Sequence, residues 1–159
     1  MGKKTDAFTT NLQTYSDQSL DLTPKLITAC QQVAKLFDQF SALETQHNAR
    51  SSAIINKAGD DPTIFEPLIA KDPELTKLGT ALDQVGKELM KARSDRESAK
   101  NGLKTVTAKL KVETAAFTTY ITGKEKSKIP FKGKKSVPMA KGLIKAANDL
   151  IMRNEAILR

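Results

Sequence analysis

Residues 75–120 read LTKLGTALDQVGKELMKARSDRESAKNGLKTVTAKLKVETAAFTTY. Within this stretch Leu75, Leu78, Leu82, Val85, Leu89, Ala92, Arg96, Ala99, Leu103, Val106, Leu110, Glu113, Phe117 and Tyr120 follow one another at alternating steps of three and four. Of these 14 positions 12 are apolar or aromatic, in a chain that is 39% hydrophobic, so composition alone does not explain the spacing. A helix with this period carries one narrow apolar seam, and the seam must be covered by other helices along its length. Asp72, Pro73 and Glu74 supply a cap, a first-turn proline and a charge favourable to the helix dipole. The helix is therefore expected from residue 73 to about Ile121, stopping before Gly123. Gly79, Gly86 and Gly102 lie inside it, each costing about 1 kcal/mol relative to alanine. Close approach of a neighbouring helix is the expected reason for them.

Upstream, Leu26, Cys30, Val33, Phe37, Phe40, Glu44, His47, Ser51 and Ile54 repeat the pattern. Phe8, Leu12, Tyr15, Ser19 and Leu22 continue it toward the N-terminus, with one irregular step between Leu22 and Leu26. Thr23 and Pro24 admit two readings. They cap a separate second helix, or one long helix over residues 6–57 passes through a proline kink. The near-equal lengths of 6–57 and 73–122, each about 75 Å if helical, favour the long helix. The connector, residues 58–72, is acidic; Asp61-Pro62 opens a helical turn there, with Ile64, Phe65, Leu68 and Ile69 as an apolar cap.

Beyond Gly123, a loop rich in lysine, glycine and proline leads to a last helix at 138–158 with Met139, Leu143, Ala147, Leu150, Ile151 and Leu158 on one face. At about 30 Å this helix covers less than half of a 75 Å hairpin. The expected fold is all-α: one domain over residues 1–159, an elongated antiparallel helical hairpin or coiled coil with a shorter third helix packing on one half. Residues 1–5 are expected to be a disordered tail. The uncovered half should bind a second copy through Phe40, His47, Ile54, Leu75, Leu78, Leu82, Val85 and Leu89, closing a four-helix bundle. Arg96, Glu113, Glu44 and His47 sit at core-type positions, where they either fix register or reach out at the bundle edge.

The chain carries 26 basic and 18 acidic residues, a net charge of +8. Of the basic residues 21 are lysine and five arginine. Sequence-reading proteins lean on arginine forks; a lysine-heavy balance favours less specific attraction to an anionic surface. Lys124, Lys126, Lys128, Lys132, Lys134 and Lys135 cluster after the long helix, with Ile129 and Phe131 among them. Lysines interleaved with apolar groups suit an anionic membrane surface, the favoured partner; a nucleic-acid backbone is the alternative. In its long helices, dimeric state and basic loop between the second and third helices, the expected outline resembles the BAR class of membrane-curving proteins. Its third helix is shorter than theirs, and the resemblance is of architecture only.

Catalytic chemistry finds little to use. The lone histidine, His47, has no metal-ligand spacing around it. Gly133-Lys134-Lys135-Ser136 lacks the upstream glycine and the strand of a phosphate-binding loop. Neither cofactor, metal nor small-molecule substrate is expected, and the chain reads as a non-enzymatic scaffold. An adaptor, chaperone or secretion-system module gripping a partner helix is a further reading. The single cysteine, Cys30, is expected to be a buried small hydrophobe. The first 20 residues lack the apolar core of a signal peptide, and no stretch reaches the roughly 20 apolar residues of a membrane span. A cytoplasmic location is expected, peripheral to a membrane where one is bound.

Overall fold

The computed structural model describes residues 3–126 and 137–159. These form four α-helices: α1 (Lys3–Lys57), α2 (Pro62–Lys71), α3 (Pro73–Lys126) and α4 (Val137–Leu158). Among the described residues there is no strand, so the fold class is all-α. By its contacts the chain divides into two compact units, residues 1–27 with 97–159 and residues 28–96.

In the first unit three helices share a core. Leu12 of α1, Val106, Leu110, Phe117 and Ile121 of α3, and Val137, Ala140, Ala147 and Ile151 of α4 form one buried cluster. Leu26, Ala99 and Leu103 form another, with Ile157 and Leu158 packed against it. Leu103, Leu110 and Phe117 are fully buried, each contributing about 1.5–3 kcal/mol by removal from water. The Phe8 ring stacks on Phe117 with centroids 4.8 Å apart. α4 places Ala140 and Ala147 in this core, where small side chains let helices approach. Gly102 serves the same end: a side chain there would meet Leu22 at 3.3 Å.

This core also holds a polar layer to which each helix contributes one residue. Asn154 of α4, fully buried, donates through Nδ2 to Ser19 Oγ of α1 at 2.7 Å and to Thr107 Oγ1 of α3 at 3.2 Å. Thr107 passes its own proton to the Leu103 carbonyl at 2.7 Å. Only one axial setting of α4 satisfies both hydroxyls, so the layer fixes its register. Glu113, a polar seam position, is half-buried and accepts from Asn11 Nδ2 at 2.8 Å.

The second unit holds α2 and the remaining stretches of α1 and α3. Val33 and Leu36 pack on Leu89 and Ala92, with Val85 beside them. Here two helices make the core without a third.

All 14 seam positions of α3 are buried or half-buried. Several sequence expectations need correction. α3 runs through Gly123 to Lys126, because one glycine costs only about 1 kcal/mol and Phe117 and Ile121 keep the last turns packed. Helix α1 begins at Lys3, so residues 3–5 are not a tail; Thr5 is buried. Thr23 does not cap a helix. α1 continues through Pro24, and Thr23, buried, donates its hydroxyl to the Ser19 carbonyl at 2.9 Å. Thr23 thereby fills the irregular step between Leu22 and Leu26. Lastly, Cys30 is exposed. The inner positions of α1 are Leu26, Ala29, Val33 and Leu36, so Cys30 and Phe37 fall one step outside the seam, as does the exposed Glu44. The connector helix α2 is longer than the expected turn and buries no residue; Ile64 and Leu68 are about half exposed, so its apolar residues do not form a closed cap.

Asn154→Ala should lower stability by about 1–3 kcal/mol, the cost of leaving the Ser19 hydroxyl buried without a partner. Denaturant unfolding measures this, and Ser19→Ala in the same background should recover part of the loss.

Candidate functional site

The lysine cluster is described only at its start. Lys124 is half-buried, its Nζ 5.5 Å from the centroid of the Tyr120 ring, within the range of a cation–π contact. Lys126 ends α3. Lys128, Ile129, Phe131, Lys132, Lys134 and Lys135 lie outside the described residues.

The division into units sorts the charge. The first unit's sequence contains 17 basic and 8 acidic residues, the second 9 and 10, together the chain's 26 and 18. All the net positive charge thus belongs to the first unit. Its exposed α3 surface carries Lys104, Lys109 and Lys111, the last paired with Glu155 of α4. Lys141 pairs with Glu125 at 2.6 Å, and Lys109 lies over the Tyr15 ring at 5.8 Å.

The expected partner seam lies in the second unit and is largely occupied within the chain. Leu75 and Leu89 are buried. Phe40, His47, Ile54, Leu78, Leu82 and Val85 are half-buried. What remains open is a groove of about 740 Å³ beside the α1–α3 contact, lined by Phe37, Phe40, Leu82, Gly86, Leu89 and Met90, with Asp83, Lys87 and Arg93 at its edges. Phe37 is 52% and Met90 71% exposed. Neither was expected as surface. A signal for Phe37 existed in the helical positions flanking the α1 seam. One flank carries Gln32, Gln39 and Gln46; the other carries Cys30, Ala34, Phe37 and Ser41. A flank meant only for water has no use for the second set.

Near α2 the chain makes one well-formed ionic junction. Arg50 of α1 sends Nη2 to Asp72 Oδ1 at 2.8 Å and Nε to Asp72 Oδ2 at 3.2 Å, and also reaches Glu74 at 3.2 Å. Asp72 Oδ2 accepts from the Leu75 backbone N–H at 2.9 Å, so it caps α3 as the sequence predicts. The hydrogen bond from Arg50 and then the Leu75 N–H hold the Asp72 carboxyl below its ordinary pKa, while Asp72 raises that of Arg50. Of the five carboxylates between residues 58 and 75, Asp72 and Glu74 are therefore already paired.

Among the described residues no group of three or more histidine, cysteine or acidic side chains is placed to hold a metal, and no described helix is long and apolar enough to cross a membrane. A smaller groove of about 470 Å³ in the first unit runs past Lys111, Thr114, Thr118, Asn148, Ile151 and Glu155. The Thr114 hydroxyl is buried there without a partner. In comparisons with known proteins the chain matches no family model, no curated protein and no solved structure.

Asp72→Asn keeps a capping side chain but removes the charge of the fork, whereas Asp72→Ala removes both. Melting temperatures at pH 7 should fall in the order wild type, Asn, Ala. Because the folded carboxyl is held below its unfolded pKa, its contribution is present above that unfolded value and is lost as pH falls through the folded one. The gap between wild type and Asp72→Asn should therefore close in acid, as thermal melts across pH 2–7 would register.

Proposed function

We propose that this protein is a non-enzymatic helical scaffold that attaches to an anionic surface, a membrane in first place, through its lysine-rich first unit. The observation that carries the reading is the segregation of charge: the first unit holds the whole positive excess and the second is balanced. Long-range attraction depends on net charge of this kind and requires no shaped site. Each lysine near an anionic leaflet contributes up to about 1 kcal/mol. Six between 124 and 135, less the losses of ordering, would give weak binding per copy, which two copies in one particle would strengthen.

The same reading takes α1 and α3 as an antiparallel pair within each unit. In the first unit Asn11 meets Glu113 and Leu22 meets Gly102; in the second Phe40 lies at Gly86 and Arg50 at Asp72. Rising numbers on one helix meet falling numbers on the other. The first unit then supplies the charge that the surface attracts, and the second supplies an open apolar groove that suits protein. That groove also favours a second reading: an adaptor whose main task is to grip another helix. Nucleic-acid backbone binding uses the same lysines and differs in its tolerance of apolar loss.

Co-sedimentation with vesicles tests the proposal. Anionic vesicles should retain the protein at low salt and release it as salt rises, while neutral vesicles should not bind it. Phe131→Ser, with every lysine kept, should weaken vesicle binding severalfold and leave binding to short duplex DNA unchanged. No retention by either ligand at low salt would remove the anionic-surface reading.

A further inference from the structure

The groove of the second unit is complementary to itself. We infer that a second copy of this chain docks there about a two-fold axis, with Phe37 at the axis, Met90 over the partner's Gly86 and Arg93 against the partner's Asp83. The inference rests on the reading of the second unit as the protein-facing half, and it names the occupant.

Phe40 lies level with Gly86, where a side chain added to the glycine would meet its ring at 3.7 Å. Val33 and Leu36 lie among Leu89 and Ala92. Antiparallel progression between these contacts places Phe37 level with position 88 of α3. A two-fold axis crossing the helices at that level sets α3 against the partner's α3 in the opposite direction. Residues equally distant from position 88 then meet. Met90 and Gly86 are two residues to either side, and Arg93 and Asp83 five to either side. All four line the groove, as does Phe37. An interface between identical surfaces needs this reciprocity: whatever one copy presents, the same surface must receive.

The chemistry of each pair fits. Met90 is the most exposed large apolar residue of the groove, and a thioether chain adapts to shallow sockets. Gly86 provides such a socket, since the only side chain close to it is Phe40. The glycine costs the helix about 1 kcal/mol and no contact within the chain requires it. Phe37 and Phe40 both line the groove, so two copies bring four rings to it. Among the described residues Arg93 has no ion-pair partner, and Asp83 has only an exposed pair with Lys87 four residues on. An occupant bearing an acid and a base in the reverse order along the groove complements these edges, and a second copy has them. The second unit's balanced charge also sets no net repulsion against this association.

Sedimentation velocity on the full chain should give a particle of twice the single-chain mass. Arg93→Asp should weaken association at least tenfold with helicity unchanged by circular dichroism, because it sets two acids against each other. Arg93→Asp combined with Asp83→Arg should restore it, a recovery that misfolding would not allow. In a Cys30→Ser background, Phe37→Cys should form a disulfide-linked dimer on mild oxidation, whereas Gln39→Cys, on the other flank, should not. A monomer at high concentration would overturn the second copy; if it still pelleted with anionic vesicles, the scaffold reading would stand. A dimer indifferent to Arg93→Asp would overturn this interface. A dimer disrupted by Arg93→Asp that binds neither vesicles nor DNA would uphold the interface and remove the anionic-surface reading.

Discussion

A helix of 54 residues whose apolar positions fall every three or four residues cannot stand in water by itself. Its seam is too narrow to make a core alone and too long for any one short helix to cover. Everything else in the chain answers that demand. α1 repeats the period at matching length, and α4 adds a third helix in the first unit. In the second unit the third helix, α2, buries no residue, and the core is correspondingly small: Val33, Leu36, Leu89 and Ala92. That difference in cover is the origin of the open groove.

The two units also differ in how they use polar residues. The first buries Asn154 with Ser19 and Thr107, one from each helix. Sliding α4 by a residue would strand the Asn154 amide and the Ser19 hydroxyl, so a modest set of hydrogen bonds disfavours competing registers. The second unit places its polar specificity at the edge, where Arg50 forks onto Asp72 as that same carboxylate caps α3. One residue thereby ends α2 through its backbone N–H, starts α3 through its carboxylate and ties the turn to α1. The junction fixes where the chain turns, at the cost of making the turn sensitive to acid.

For function, the relevant pattern is a separation of labour along the sequence. Net positive charge belongs to one unit and the larger apolar groove to the other. Charge attracts at a distance and without shape; an apolar groove acts only on contact and with shape.

The sequence by itself determined the helices. The seam of α3 from Leu75 to Tyr120, the capping role of Asp72 and the all-α class follow from spacing and local chemistry, which act within a few residues and are legible without a fold. Tertiary structure decided which positions of α1 face inward. Cys30, Phe37 and Glu44 share the seam's period, yet Ala29 and Leu36 take the interior, because a stripe seven residues deep admits two adjacent settings and only the neighbouring helix chooses between them. The passage of α1 through Pro24 was decided in the same way: the penalty is local, and the packing of Leu22, Leu26, Ala99 and Leu103 on either side outweighs it. The groove, too, was hidden in the sequence, since a residue's exposure depends on which helix fails to arrive beside it.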